Sequence, residues 1–221
     1  MALAFGLDHI VIDATRIACA PSAHDFVARL YSCFETGRRL RVLTTDREFA
    51  SFERQTRRLE ETGWLDVTRV PVEPYASFAD RFRVALREPH DFVYLSEVFF
   101  DSGFRVESLA SLLAVAPPQA LIAIDGYHTF FAAPVSLAAL EPRVFYLGGG
   151  YKYLQAGEGA CFMTLPPSAD RLRPALTGWF SDGGERSGAV PVGYGEGALR
   201  FWGSTFDASG LYRLNAVMRL Y

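Results

Sequence analysis

Lysine is almost absent from this 221-residue chain, because Lys152 is the only lysine among its 22 basic residues and the others are all arginine. A chain that uses arginine for its ordinary surface cations does not need a lysine for that purpose. An ε-amine differs from a guanidinium in that it loses its proton when desolvated and then condenses with an aldehyde or ketone to form a Schiff base. The single lysine therefore predicts that chemistry, with a solvated lysine in a glycine-rich turn as the alternative.

Cysteine is also scarce. Cys19, Cys33 and Cys161 are odd in number, widely spaced and set in apolar surroundings. This pattern favours reduced core thiols over a disulfide framework. Neither the cysteines nor the four histidines form a spacing typical of metal ligands, so we expect no metal site.

An excess of basic charge and a long apolar run are missing as well. The formal net charge is −3, which argues against nucleic acid as a partner. No apolar stretch approaches the roughly 20 residues that span a bilayer, and the N-terminus does not resemble a signal peptide. We expect no membrane contact and a cytoplasmic protein.

Apolar strands alternate with amphipathic helices along most of the chain. This order indicates βαβ units, and therefore an α/β fold with a mainly parallel sheet and helices on both faces. An apolar stretch lies around 10–12, and the Gly- and Ser-rich segment 177–197 reads as a mobile or partner-contacting loop. Strands are expected near 41–45, 67–70, 91–96, 120–125, 143–147 and 160–165, and helices near 23–34, 46–61, 78–87, 107–116, 137–140 and from about 208.

Several side chains with useful chemistry follow predicted strands, where α/β sheets bind ligands. Asp125 ends the most apolar strand and is followed by His128. The carboxylate suits a protonated ring nitrogen, and a helix cap is the alternative. Phe49 follows another strand and can stack on an aromatic ring or belong to the core. His128 alone reads as an ordinary polar residue.

These residues carry a resemblance to a known family. Asp-Gly-Tyr-His at 125–128 and Tyr-Lys-Tyr-Leu-Gln-Ala-Gly-Glu-Gly at 151–159 resemble the pyridoxal phosphate enzymes of the class V aminotransferase group, and within it kynureninase. Thr-Gly-Trp-Phe at 177–180 and Gly-Ser-Thr at 203–205 resemble that family's Gly-Trp and Gly-Thr segments. The resemblance extends from about Ser22 to Asn215 and implies the large domain of a fold type I pyridoxal phosphate-dependent transferase.

The resemblance also implies roles for individual residues. Lys152 would form the Schiff base with pyridoxal phosphate and later move protons at the α-carbon of an amino-acid substrate. Asp125 would pair with the pyridinium nitrogen, which keeps the ring an electron sink. His128 would lie near the phenolic oxygen or the substrate, and Phe49 would stack on the ring.

Further residues are implied at the phosphate. Tyr151 and Ser22 would contact it within one subunit. Trp179 and Thr205 would reach the phosphate of the neighbouring subunit, which implies a homodimer with its sites at the subunit interface.

The chain departs from the family's pattern in its length. We expect residues 1–221 to form a single cofactor-binding large domain that lacks the family's N-terminal segment and C-terminal small domain. No residue is assigned to the arginine that grips the substrate carboxylate. Phe52 stands where kynureninases have an aspartate.

Three functions remain open at this point. The first is a pyridoxal phosphate-dependent transferase or lyase, of which the desulfurase-like form is disfavoured because no cysteine lies in a polar loop. The second is an inactive homologue that binds the cofactor or serves as a dimeric binding protein. The third is an α/β protein without the cofactor.

Overall fold

The computed structural model describes residues 13–134, 137–140, 142–182 and 191–220. Seven strands lie within them: β1 (Ile17–Ala20), β2 (Leu40–Thr45), β3 (Leu65–Val70), β4 (Phe92–Ser96), β5 (Leu121–Asp125), β6 (Phe145–Gly149) and β7 (Cys161–Thr164). Five α-helices accompany them: α1 (Ala23–Tyr31), α2 (Ala50–Glu61), α3 (Phe78–Leu86), α4 (Leu109–Leu113) and α5 (Ser209–Met218). The α/β alternation predicted from the sequence is confirmed.

The helices form where apolar side chains recur at helical spacing. In α3, Phe78, Phe82 and Leu86 are buried at intervals of four residues, which places them on one face. Helix α2 ends at Glu61, and Gly63 lies two residues beyond it with a φ of 78°, the left-handed conformation that glycine adopts at low cost. Local sequence thus determines both the buried face and the end of the helix.

The chain divides into two compact units. The first, the central unit, comprises residues 35–129 and contains the parallel strand order β5-β4-β2-β3. Its strands are in parallel register, with Val42 opposite both Val67 and Phe92. Ser96 at the end of β4 lies opposite Asp125 at the end of β5. The last residues of these strands therefore meet at one edge, where polar side chains can act together.

The second, the discontinuous unit, contains residues up to 34 and from 130 onward. Here β7 lies between β1 and β6 and is antiparallel to both. Helix α1 packs against all three strands. The described sheet is mostly parallel, as predicted, and β7 is antiparallel to its two neighbours in this unit.

The core lies on the central strands of each unit. Every residue of β4, β5, β6 and β7 is buried. Such strands, covered on both faces, read as continuous apolar runs in the sequence, which is why they were predictable.

Some predicted elements differ from the structure. Residues 137–140 form a turn closed by the Leu140 amide and the Leu137 carbonyl, because Pro134 and Pro142 leave too little chain for a helix. Helix α4 begins later than predicted because Ser108, with φ of 54°, is left-handed and cannot belong to the helix, and α4 also ends earlier than predicted, at Leu113. Strand β1 was not predicted. The stretch 10–12 and much of 177–197 lie outside the described residues.

None of the helices in the described ranges has the length and apolarity needed to cross a membrane.

Candidate active site

Asp125 is held in a fixed position at the end of β5. Its side chain is buried, and its two oxygens accept hydrogen bonds from the Tyr94 hydroxyl and the Tyr127 amide, each at 2.9 Å. Donated hydrogen bonds favour the ionised form of a carboxylate. No helix begins directly after β5 within the described residues, so the helix cap that the sequence left open as an alternative for Asp125 is wrong. The Tyr127 amide closes a local turn on Asp125, and the bond from Tyr94 is a long-range contact.

Tyr94 is itself fixed by an aromatic stack. The Phe52 ring from α2 lies parallel to the Tyr94 ring, with centroids 3.8 Å apart and an interplanar angle of 7°. Both side chains are fully buried. Phe52, which departs from the kynureninase pattern, thus orients the tyrosine that donates to Asp125. Sequence reasoning did not identify Tyr94, because a tyrosine in a buried strand reads as core.

Glu48 is a second buried acid at the same strand ends. One carboxyl oxygen is 2.7 Å from Thr45 Oγ1, and the other is 2.6 Å from Ser96 Oγ. The Ser96 amide also donates to this carboxyl, at 3.3 and 3.2 Å from its two oxygens. Burial raises the pKa of Glu48 to about 8. Sequence reasoning did not single out Glu48, since a glutamate before a helix is usually exposed.

Two predicted site residues, Phe49 and His128, both lie beside the ring of Phe100. Phe49 stands edge-on to Phe100 with centroids 5.3 Å apart, and Phe100 lies 6.5 Å from the His128 ring. Phe49 is 37% exposed, so the alternative of an ordinary core phenylalanine is wrong. Phe100 extends this exposed aromatic surface and was not predicted.

Lys152 lies in a tight loop between β6 and β7. The loop is closed where the Gly150 amide donates to the Ala160 carbonyl at 2.9 Å and the Ala156 amide donates to Gly150 at 2.8 Å. Lys152 Nζ lies 5.7 Å from the centre of the Tyr151 ring, a cation–π distance. The lysine is half-buried rather than fully solvated.

Arg213 of α5 stabilises this loop through hydrogen bonds to its backbone. Its guanidinium donates to the carbonyls of Ala156 and Glu158, at 3.0 and 2.8 Å. A Cβ at Gly157 would lie 2.9 Å from Arg213 Nε, so the glycine allows the close approach. Arg213 was missed because its partners are backbone atoms of a distant segment.

The Gly-Trp and Gly-Thr segments pack on each other. Trp179 Nε1 donates to Thr205 Oγ1 at 3.0 Å, and the Phe180 amide donates to the Gly203 carbonyl at 3.0 Å. A Cβ at Gly178 would collide with the same carbonyl. Trp179 is 58% exposed, so this paired segment presents an aromatic side chain at the surface.

A buried hydroxyl joins the two segments. Ser181 Oγ accepts hydrogen bonds from the amides of Gly178 and Gly203, at 3.4 and 3.2 Å. Ser181→Ala is expected to lower the free energy of unfolding by about 1–3 kcal/mol, because the buried Gly203 amide and the part-buried Gly178 amide lose their acceptor. Urea denaturation measures the change. Ser204→Ala, at an exposed position of the same segment, is the control and should change stability by less than about 0.5 kcal/mol. Equal losses in the two variants would contradict the role of Ser181.

Ser22 precedes α1 at the predicted N-cap position. Its hydroxyl donates to Asp25 at 2.7 Å, and no side-chain capping bond forms. The phosphate contact of Ser22 stays a prediction.

The predicted site residues divide between the two units as follows: the central unit contains Asp125, Phe49 and His128, and the discontinuous unit contains Lys152, Tyr151, Ser22, Trp179 and Thr205. Within each unit the structure gives them defined partners. Their assembly around one cofactor stays a prediction.

Comparison with solved structures identifies the fold. A complex between the cystine C-S lyase C-DES and its reaction product cysteine persulfide has a TM-score of 0.79 and 20% identity, over 95% of this chain and 56% of that chain. The apo cysteine desulfurase from Thermococcus onnurineus NA1 has a TM-score of 0.73 and 18% identity, over 93% and 52%. The cysteine desulfurase CsdA from Escherichia coli has a TM-score of 0.76 and 14% identity, over 94% and 52%.

These matches show that the chain has the large-domain fold of fold type I pyridoxal phosphate-dependent transferases. A C-DES mutant of the same fold has glycine covalently linked to its pyridoxal phosphate cofactor. The chain spans about half the length of these structures. Neither a protein-family model nor a curated protein matches the sequence.

Proposed function

We propose that this chain is part of a pyridoxal phosphate-dependent enzyme that acts on an amino acid, with Lys152 as the residue that bonds covalently to the cofactor. One observation carries the proposal: a buried carboxylate, Asp125, ends β5 with both oxygens held by donors, in the fold that the pyridoxal phosphate enzymes share. Bound pyridoxal phosphate would supply an electron sink for a carbanion at the substrate α-carbon.

The residues of the chain fit such a cofactor chemically. Asp125 is the anion that a protonated ring nitrogen needs, and Tyr94 and Tyr127 fix its orientation. Phe49 offers an exposed ring for stacking. Lys152 supplies the amine and moves protons at the substrate. His128 contacts the phenolic oxygen or the substrate, and this role rests on the resemblance alone.

The phosphate would be held by Tyr151 and Ser22, and by Trp179 and Thr205 of a second copy of the chain. The support for the second pair is that the two side chains are hydrogen-bonded to each other and that Trp179 is exposed. The enzyme would then be a homodimer with its sites at the subunit interface.

We propose a broad enzyme group and a narrower type within it. The class V group as a whole is supported by the fold of the cysteine desulfurases and the C-S lyase, and the kynureninase-like type by the motifs around Asp125 and Lys152. Burial raises the pKa of the Cys19 thiol to about 11 and that of Cys33 to about 12. Both thiols stay protonated at neutral pH, so neither is suited to accept sulfur from a substrate. This favours a lyase or transferase that uses neither of these two thiols.

A colour test examines the proposal. The purified chain is mixed with pyridoxal phosphate, and we expect an absorbance band near the visible edge that borohydride removes. Mass spectrometry of the digested product should then find the pyridoxyl group on the peptide that contains Lys152. A protein that stays colourless and unlabelled would contradict the proposal.

The second candidate, a homologue that binds the cofactor without turnover, is separated by the next step of the same test. Amino acids are added to the coloured protein. A spectral shift with product formation supports the enzyme, whereas binding without any shift across the twenty amino acids, cystine and kynurenine supports the inactive homologue.

A further inference from the structure

Glu48 and Asp125 flank the same residue, Ser96, at the ends of adjacent parallel strands. The carboxyl of Glu48 contacts both the hydroxyl and the amide of Ser96. Ser96 in turn lies opposite Asp125 in the register of β4 and β5. Both acids are buried, with Glu48 6% and Asp125 8% exposed. Besides burial, which is the main cause, the charge of Asp125 raises the pKa of Glu48, so the two acids oppose each other's ionisation.

The hydrogen bonds of the two acids differ. Asp125 accepts from a tyrosine hydroxyl and a backbone amide, donors that suit a carboxylate. The oxygens of Glu48 face two hydroxyls, Thr45 Oγ1 and Ser96 Oγ, and a hydroxyl can accept a hydrogen bond as well as donate one. The neutral acid is therefore accommodated at Glu48.

Other charged groups of neighbouring elements have partners of their own. Arg47 forms ion pairs with Asp101 and Glu73, and Glu97 forms one with Arg105. Asp46 accepts from the Val72 amide. The charge that acts on Glu48 is that of Asp125.

We propose that Glu48 is a positioning residue for the Asp125 carboxylate: as a neutral acid it holds Ser96 beside Asp125 and leaves the negative charge of this acid pair on Asp125. Desolvation of Glu48 is the main cause of its raised pKa, and hydrogen bonds from Ser96 and Thr45 only partly offset it. The proton on Glu48 keeps the two acids from repelling each other in the folded chain.

The acid pair has a consequence for ligand binding, which rests on the proposed function. A cation held at Asp125, such as a pyridinium, offsets the charge that opposes ionisation of Glu48. Binding then favours loss of the Glu48 proton, and by linkage the affinity for the cation rises as Glu48 ionises. Glu48 would thus change the strength of the ion pair between Asp125 and the ligand without contacting the ligand.

The first test uses no cofactor and compares the wild type with Glu48→Gln, which mimics the neutral acid. In the folded chain Glu48 keeps its proton up to a pH of about 8, whereas in the unfolded chain it loses the proton near its ordinary pKa of 4.5. The folded state therefore binds more protons between these values, and stability falls as pH rises. Relative to Glu48→Gln, the wild-type unfolding equilibrium constant should rise up to about tenfold per pH unit in this window and level off above it.

Parallel pH profiles of the two chains would overturn the proposal. Glu97→Gln is the matched control. It removes a buried carboxyl from the residue that follows Ser96 while Glu48 stays in place, so this variant should keep the wild-type dependence of stability on pH. Carbon-13 NMR of glutamate-labelled wild-type chain gives a measurement that needs no variant. One glutamate titrating near pH 8 supports the proposal, and titration of all glutamates below about pH 6 overturns it.

The second test measures the affinity for pyridoxamine phosphate, which has the ring but no aldehyde, from about pH 6 to 9. The ratio of wild-type to Glu48→Gln affinity should rise with pH by about fivefold or more. A constant ratio overturns the coupling of Glu48 to Asp125. If the wild type binds no cofactor at any pH, the proposed function fails, and the first test still decides whether Glu48 carries the proton.

Discussion

Lys152→Ala is expected to abolish covalent attachment of pyridoxal phosphate, because it removes the only side-chain amine of the chain. The absorbance band near the visible edge should disappear. Borohydride should leave no pyridoxyl group on any internal peptide in the mass spectrum. The expected effect is complete loss rather than a reduction, since no neighbouring lysine can substitute.

Two further variants test whether attachment requires an amine rather than a positive charge, and whether that amine must stand at position 152. Lys152→Arg keeps a cation beside the Tyr151 ring but cannot condense with an aldehyde, so it should behave like Lys152→Ala. A chain with both Lys152→Ala and Arg54→Lys has one lysine at an exposed position of α2 and should also stay colourless. Recovery of the band in either variant would show that position 152 is not special.

Asp125→Asn is expected to weaken the binding of pyridoxamine phosphate by about thirtyfold or more. The substitution keeps the shape of a buried side chain while it removes the charge that pairs with the ring nitrogen. Losing one member of a buried, hydrogen-bonded charge pair costs about 2–5 kcal/mol, and each 1.4 kcal/mol is about tenfold in affinity. Titration monitored by absorbance measures the change, and a ligand without an aldehyde keeps the covalent bond out of the result.

The control for Asp125→Asn is Asp66→Asn, which removes a carboxylate from an exposed position of β3 in the same unit. That variant should bind with wild-type affinity. Should Asp125→Asn bind equally well, the assignment of Asp125 to the ring nitrogen is wrong, even if Lys152 is labelled.

Strands β4, β5, β6 and β7 could be predicted because they are buried on both faces. Runs such as 121–125 contain no polar residue before the final aspartate, and no helix pattern competes with them. Strand β1 escaped prediction because it has four residues and owes its conformation to β7, which is distant in sequence. The helix predicted at 137–140 is a turn because two prolines bound it.

The candidate site was predictable only in its chemistry. Lys152 and Asp125 are unusual in kind or position, so the sequence could single them out. Their supporting residues are ordinary in the sequence and special only through contacts between elements, as with Tyr94, which reaches Asp125 from a neighbouring strand. Glu48 is the extreme case, since its burial and its contacts with Thr45 and Ser96 appear only in the folded chain. A single sequence contains no record of such pairings.

The pairing of β1 with β7 also bears on the order in which the chain folds as it leaves the ribosome. Arg16 donates to the carbonyl of Leu165, which lies 149 residues further along the chain. The central unit is complete once residue 129 has emerged, and its strand pairs connect neighbouring parts of the sequence. Strand β1 must wait with exposed backbone amides and carbonyls until β7 is synthesised. In nascent chains halted before residue 161, the central unit should therefore resist protease, while the segment around β1 should still be cut.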